Sequence, residues 1–310
     1  MELNTKDKKI LSLLLNDCRL TNSQIAKKIN SSREVVAYRI KQLEEEGIIN
    51  GYSVDINFEK LGYVFYSIDM FLNDSSSEKI ESLKKRSKIV YLQKSLGKYN
   101  LSCNILVKDF SEFKKEYDYI IRLLGKNIID INSNMLLSDI NFSEEFFIKK
   151  KGAEHKFLDD VKKISIDSID EKILTELGLN ARQSLVDISG KVGASVPTVS
   201  NKIKRLKKEN AIRNTVSIDY KKIGYHRYSL MIFANPEKEN EIVKFCNQYS
   251  QVWYIGKLSG NYNYVLEILA RDNSELDLFV NLMREKLRKD ILKYDILIAT
   301  ILYKQGRFYI

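Results

Sequence analysis

Cysteine and histidine are scarce in this chain, and neither is arranged for chemistry. Cys18, Cys103 and Cys246 are odd in number, far apart and outside any CxxC pair. That argues against a disulfide framework or a zinc site and fits a reducing compartment. His155 and His226 have no Cys or carboxylate at ligand spacing, so no metal is expected. Neither a GxxxxGKS/T loop nor a GxGxxG loop occurs, and no Ser, His and carboxylate set carries a local signature. Catalysis is therefore poorly supplied, and the expectation is a non-enzyme without a cofactor. The sequence lacks Gly/Ser-rich tracts. It also lacks any apolar run near the roughly 20 residues that span a bilayer. The start, MELNTKDKKILSLLL, reads as an amphipathic helix and not a signal peptide. A cytoplasmic protein with no membrane partner is expected.

What is present is positive charge. Lys and Arg number 51 against 41 Asp and Glu, giving +10 and a pI near 9.2. An anionic partner follows, either nucleic acid or an acidic membrane surface. At 44% apolar and 30% charged, the 310 residues have an ordinary globular composition and room for two to four domains.

The chain is one plan written twice. Asp7–Asn50 aligns on Asp170–Arg213 at an offset of 163, with fifteen of forty-four positions identical. Past that window the match slips by one residue, so that EKLGY at Glu59–Tyr63 echoes KKIGY at Lys221–Tyr225. The expected division is 1–58 and 167–220 as winged helix-turn-helix units, 59–148 and 221–310 as α+β units, and 149–166 as a charged linker. A short helix at His155–Lys163 could interrupt that linker. Ile10, Leu11 and Leu14 share one helical face. Thr21 with Gln24 forms a capping box, and so does Ser31 with Glu34. Gly47 suits a helix end that needs positive φ. Asn50-Gly51 is a strong hairpin dipeptide, so each three-helix unit should end in a small hairpin wing. The rest of each copy reads strand, helix, strand, strand, helix, strand. In the first copy these are Tyr63–Leu72, Glu78–Lys88, Ile89–Leu96, Leu101–Val107, Ser111–Leu124 and Asn132–Ile140. In the second they are Tyr228–Ala234, Glu239–Gln248, Val252–Leu258, Tyr264–Ala270, Ser274–Lys286 and Tyr294–Tyr303. That order is the split βαβ, or ferredoxin-like, unit. Two sheets with one apolar face each should pack against one another.

The most informative stretch is Ser31–Asn50, echoed at Ala194–Arg213. Val36, Ile40 and Leu43, like Val199, Ile203 and Leu206, sit at i, i+4 and i+7 and should face inward. The outward faces are then Glu34, Tyr38, Lys41 and Glu45, flanked by Gln42, and Pro197, Asn201, Lys204 and Lys208, flanked by Arg205. Such a helix in a major groove reaches base edges and phosphates. The candidate DNA-binding residues are Ser32, Arg33, Glu34, Tyr38, Arg39, Lys41 and Gln42 in the first copy. In the second they are Ser195, Thr198, Ser200, Asn201, Lys202, Lys204, Arg205, Lys208 and Arg213. The heads differ in charge: residues 1–150 carry +3 and residues 151–310 carry +7. The second head should supply more of the phosphate-driven affinity.

These residues resemble the Lrp/AsnC family of transcriptional regulators. The likeness rests on Asp7–Leu11, on SSREVVAYRIKQLEEEGII and GYSVDINFEKLGY, and on DEKILTELGLNAR, SVPTVSNKIKRLK and IDYKKIGY. It implies a winged helix-turn-helix joined to a ferredoxin-like effector domain, here duplicated into a covalent pseudo-dimer. It also implies double-stranded DNA as partner, homo-oligomers, and a small effector such as an amino acid. The segments GKYN and GNYN look like the family's Gly-x-Tyr-Asp turn. The resemblance therefore points to Gly97, Tyr99, Asn100, Gly260, Tyr262 and Asn263 as effector residues, with Asn standing where the family has Asp. Two alternatives stay open. The same fold pair resembles sirohaem decarboxylases, and a non-specific architectural DNA-binding protein fits the charge.

Overall fold

The structure is a computed structural model describing residues 3–74, 76–148, 156–157 and 161–305. Each repeat begins with three helices: α1 (Thr5–Asn16), α2 (Asn22–Ile29) and α3 (Arg33–Glu45) in the first. A single strand, β1 (Ile49–Ile56), follows them. Then come β2 (Val64–Leu72), α4 (Ser77–Lys84), β3 (Ile89–Gly97), β4 (Leu101–Val107), α5 (Phe110–Leu124) and β5 (Ile128–Asn141). The second repeat opens with α6 (Ser168–Leu179), α7 (Leu185–Val192), α8 (Val196–Lys208) and β6 (Ile212–Ile218). It continues with β7 (His226–Ala234), α9 (Glu239–Gln248), β8 (Val252–Ser259), β9 (Tyr264–Ala270), α10 (Asn273–Lys286) and β10 (Ile291–Gln305). The architecture is α+β, as expected. Helix α4 stops four residues short of the expected end, and β5 begins four residues early. Within His155–Lys163, the described residues Lys156, Phe157, Val161, Lys162 and Lys163 are not helical, and the other four lie outside the described residues.

Local chemistry explains the helices. Thr21 and Gln24 form the expected capping box at α2. At α3, however, the cap is Ser32, whose hydroxyl accepts from the Val35 N–H, so the Ser31–Glu34 box does not form. The second copy shows the same arrangement, with Ser195 capping α8. After α3, Gly47 takes φ +69°, and Asn210 takes φ +51° at the matching place. Both are residue types that tolerate this region.

The hairpin expectation is overturned. Asn50-Gly51 lies inside β1, which runs on and pairs antiparallel with β6 of the other repeat, from Ile49↔Ile218 to Ile56↔Ile212. Gly51 serves a register shift between Ile49 and Gly51, not a turn. Each head is completed by the opposite repeat. The first three-helix core takes in Val216, Ile218 and Tyr220, while the second takes in Val54, Ile56, Leu61 and Tyr63. Two arginines at matching positions bind across this junction. Arg19 donates to the carbonyls of Ala181 and Gln183, both at 2.8 Å, and Arg182 donates to the carbonyl of Cys18 at 2.7 Å.

The remaining strands do not form two stacked sheets. They close into one eight-stranded barrel in the order β10-β3-β4-β2-β5-β8-β9-β7. The repeats join edge to edge twice, through β5–β8 and β10–β3. The apolar face of each sheet is already covered by its own helices. Ile68, Met70, Leu72, Cys103 and Ile105 pack in one such layer, and Leu230, Ile232, Leu266 and Ile268 in the other. Strand alternation then turns the polar set, including Ser67, Asp69, Ser102 and Asn132, to the opposite face inside the barrel. Asp69 is buried there and accepts from Ser102 at 2.7 Å and Ser67 at 3.3 Å. Burial raises its pKa to about 6, against the pull of both hydroxyls.

Two outcomes follow. Residues 1–150 produced alone carry unpaired β1, β3 and β5 edges. They should appear as an associated species or as insoluble material, and should be rescued by the other half, in analytical ultracentrifugation. A stable monomeric half with no affinity for its counterpart contradicts the pairing. For Asp69, the folded state keeps its proton where the unfolded chain has lost it, between pH 3.8 and about 6. Stability should therefore fall as pH rises through that window, with Asp69 contributing on the order of 3 kcal/mol. Burial also raises Asp139 to about 6 and Glu267 to about 7, so Asp69→Asn should reduce the fall without abolishing it. Urea denaturation at stepped pH measures the difference.

Candidate nucleic-acid interface

Both reading helices are anchored as their periodicity requires. Val36, Ile40 and Leu43 are buried in α3, and Val199, Ile203 and Leu206 in α8. Opposite them, Arg33, Glu34, Tyr38 and Lys41 are exposed on α3, as are Pro197, Asn201, Lys204 and Lys208 on α8. Gln42, Thr198 and Ser200 are half-buried at the margins. Ser32 and Ser195 are exposed at the helix N-termini, where first-turn N–H groups point outward. Their hydroxyls are in use as caps, and that of Ser195 also lies 2.8 Å from the Thr198 hydroxyl.

Four of the basic candidates are committed to structure. Arg39 reaches the Asp7 carboxylate at 3.8 Å. Asp7 is buried in α1, and its repeat partner Asp170 is buried in α6. Lys202 takes the place of Arg39 and contacts Asp167 at 2.6 Å and Asp170 at 3.2 Å. Arg205 adds a 2.7 Å contact to Asp170. These pairs brace the reading helix against the first helix of its own head, because a buried carboxylate needs a cation within reach. The hydrogen bond from Lys202, with backbone N–H groups of Asp170 and Ile169, pulls the Asp167 pKa down to about 2. Arg213 bonds Asp55 at 2.7 Å across the β1–β6 ribbon. Sequence reasoning missed Asp7, Asp170 and Asp55. The first two were detectable, since Asp7–Arg39 and Asp170–Lys202 recur at the repeat offset.

The uncommitted charge is uneven. On α3, Lys41 lies 3.6 Å from Glu45, one turn on. On α8, among the described residues, no carboxylate lies within ion-pair range of Lys204 or Lys208. The second head thus offers two unopposed cations on its outward face.

The GKYN and GNYN turns lie at the two barrel seams, and their residues are occupied. Tyr99 and Tyr262 are buried in one cluster with Met231 and Leu297. The Asn100 carboxamide accepts from the Leu72 N–H at 2.8 Å and donates to the Leu72 carbonyl at 2.7 Å. Asn263 does the same to Ala234, at 2.9 and 2.7 Å. One side chain thereby closes both polar groups of a strand-end residue. A carboxylate accepts only, so it could not replace the donor half of this bracket. At Gly97, a Cβ would stand 2.2 Å from the Ile296 carbonyl oxygen, and at Gly260 it would stand 2.1 Å from Asn134 Oδ1. Gly97 is required by close backbone approach across its seam, while at Gly260 the contact is with a side chain and the φ of +151° adds to the need for glycine. Lys98 donates to the Tyr262 hydroxyl at 2.7 Å, and that hydroxyl bonds Asp295.

Comparison with known proteins matches residues 3–50 and 166–213 to the winged helix-turn-helix DNA-binding family. The HTH-type transcriptional regulator LrpA of Pyrococcus horikoshii is 35% identical over 128 residues, spanning 40% of this chain and 87% of LrpA. The chain belongs to the Lrp/AsnC family of transcriptional regulators. A further HTH-type regulator of Pyrococcus furiosus is 48% identical to this Lrp/AsnC protein over 68 residues, 22% of this chain and 46% of that relative. Among solved structures, the siroheme decarboxylase NirDL is similar over 98% of this chain and 93% of its own, with a TM-score of 0.64 and 14% identity. That likeness establishes a shared fold for the whole tandem arrangement. Within the described residues, no helix is long and apolar enough to cross a membrane.

The Asn brackets make a direct prediction. Asn100→Asp and Asn263→Asp should each destabilise the protein by about 1–3 kcal/mol at pH 7, because a carboxylate then faces a backbone carbonyl. Denaturant titration of the single variants checks this. Wild-type stability in both would remove the structural role assigned to the carboxamides.

Proposed function

We propose that this chain is a DNA-binding transcriptional regulator that works as a covalent pseudo-dimer and reads two unequal half-sites. The observation that carries the proposal is the β1–β6 ribbon. It ties two capped, amphipathic reading helices into one framework within one chain. In this reading, each helix enters a major groove and the half-sites lie about one helical turn, roughly 34–36 Å, apart. The contacts proposed for α3 come from Ser32, Arg33, Glu34, Tyr38 and Lys41, with Gln42 at the edge. Those proposed for α8 come from Ser195, Thr198, Ser200, Asn201, Lys204 and Lys208. Arg39, Lys202, Arg205 and Arg213 orient the heads through their carboxylate partners. The second head does most of the holding, and the mixed-charge face of α3 does more of the choosing.

An effector response, in this reading, acts through the barrel seams and not through direct recognition by Asn100 or Asn263. The whole-chain likeness to NirDL favours a second reading as a sirohaem-binding protein. Against it, Arg227 lies over the rings of Tyr220 and Trp253, 5.6 Å from each, while His226, its neighbour on β7, is exposed. A Soret shift with stoichiometric sirohaem would support that second reading.

Selection from a random duplex pool, followed by footprinting, should give two non-identical half-sites protected by one chain. Lys204→Ala/Lys208→Ala should lower the slope of log affinity against log salt by about 0.9 for each phosphate that is no longer neutralised. Lys41→Ala should lower it less. An unchanged slope in the double variant removes α8 from phosphate binding.

A further inference from the structure

We infer that the cleft between the two heads holds a DNA backbone phosphate at the midpoint of the site, a third anchor beyond the two reading helices. This rests on the proposed DNA-reading function. The cleft has a volume of about 360 Å³ and is lined by Arg19, Leu20, Asn22 and Arg182. Arg19 and Arg182 are equivalent residues of the two repeats, so two guanidinium groups meet where the heads join. Their positions are fixed by the crossed bonds to the Ala181, Gln183 and Cys18 carbonyls. These three bonds use three of ten guanidinium N–H groups, since each Arg carries five. Arg182 also sits over the Tyr52 ring, its guanidinium carbon 3.9 Å from the ring centroid. The nearby acids are largely engaged elsewhere. Asp17 pairs with Lys207 at 3.0 Å and accepts the Arg19 backbone N–H at 3.1 Å. Glu44 accepts the Tyr52 hydroxyl and comes only to 4.0 Å from Arg182.

Asn22 adds direction. It is the first residue of α2 and lines the same cleft. The Thr21 hydroxyl takes the Gln24 N–H, which leaves the Asn22 and Ser23 N–H groups of the first turn without an intrahelical acceptor. In a helix-turn-helix, this helix is the one that crosses the DNA backbone. Two reading helices a turn apart present the intervening minor groove and its flanking phosphates to the seam between the heads. In the second repeat Leu185 replaces Asn22 and Gln183 replaces Leu20. The cleft is therefore one-sided, and a single phosphate on one strand is its fit.

Asn22→Asp tests this without touching the arginine bonds. A carboxylate suits a helix N-terminus, so thermal stability should be kept or raised, while the new charge competes for both guanidiniums. The measurement is affinity for the selected operator and for a mixed-sequence duplex across a salt series. Ser274→Asp, an equal charge change in the first turn of α10, is the control. The expected result is several-fold weaker binding to both duplexes and a salt slope lower by about 0.9 for Asn22→Asp, with Ser274→Asp unchanged. An unchanged slope in Asn22→Asp, or an equal effect in Ser274→Asp, overturns the cleft's role while leaving the reading helices in place. Thermal stabilisation of wild type but not Asn22→Asp by ATP or inorganic phosphate, with the DNA slope unchanged, assigns the cleft to a free anion and also overturns it. Wild-type failure to bind either duplex overturns the DNA-reading function itself and the cleft's phosphate with it.

Discussion

Unpaired strand edges are the constraint on which this structure depends. Each repeat makes three edges that it cannot satisfy alone, and an open edge leaves a row of N–H and carbonyl groups without partners. The other repeat supplies all three: β6 for β1, β8 for β5 and β10 for β3. The three-helix heads depend on the same exchange, because each buries its base on the strand contributed by the opposite copy. Joining the copies in one chain turns this association into an intramolecular event, at the high effective concentration that a tether provides.

Fusion also frees the two copies to differ. A symmetric dimer must use one sequence on both sides of every contact, whereas here each side is encoded separately. The brace under the reading helix is Asp7 with Arg39 in one head and Asp170 with Lys202 and Arg205 in the other. The cleft between the heads has Asn22 on one side and Leu185 on the other. At the seams, Lys98 and Asp295 flank Tyr262, whereas Asn261 and Asn132 stand at the matching places of the repeat. Such differences keep the shared framework while giving each head its own surface.

Much of the local structure was legible because it is decided locally. Helix periodicity placed Val36, Ile40 and Leu43, and their echoes, on the buried side. Strands β4 and β9 and helix α9 fall where alternation and helical spacing put them. The errors share one cause. Asn50-Gly51 is a good hairpin turn by local preference, yet β1 has a partner 163 residues away that competes better. Ser31 and Ser32 are both capable caps, and the α2–α3 turn selects the second. The two sheets were expected to pack on their apolar faces, because alternation marks two faces without saying what covers each. Arg213 looked like a free cation because nothing nearby in the chain announces Asp55, and Asp170, the partner of Lys202 and Arg205, is signalled only by the recurrence of its pair at the repeat offset.

The sequence by itself determined the duplication, the two reading helices, the order of strands and helices in each copy, and the excess of positive charge. These follow from composition, periodicity and self-similarity, which act over a few turns of chain or repeat at a fixed offset. Only the tertiary structure decided that the wings pair with each other, that the sheets close into one barrel, and which basic side chains are tied to carboxylates. It also decided that Asn100 and Asn263 bracket strand ends. Those outcomes depend on hydrogen bonds and ion pairs between residues far apart in the chain, and local preference carries no information about which distant partner arrives.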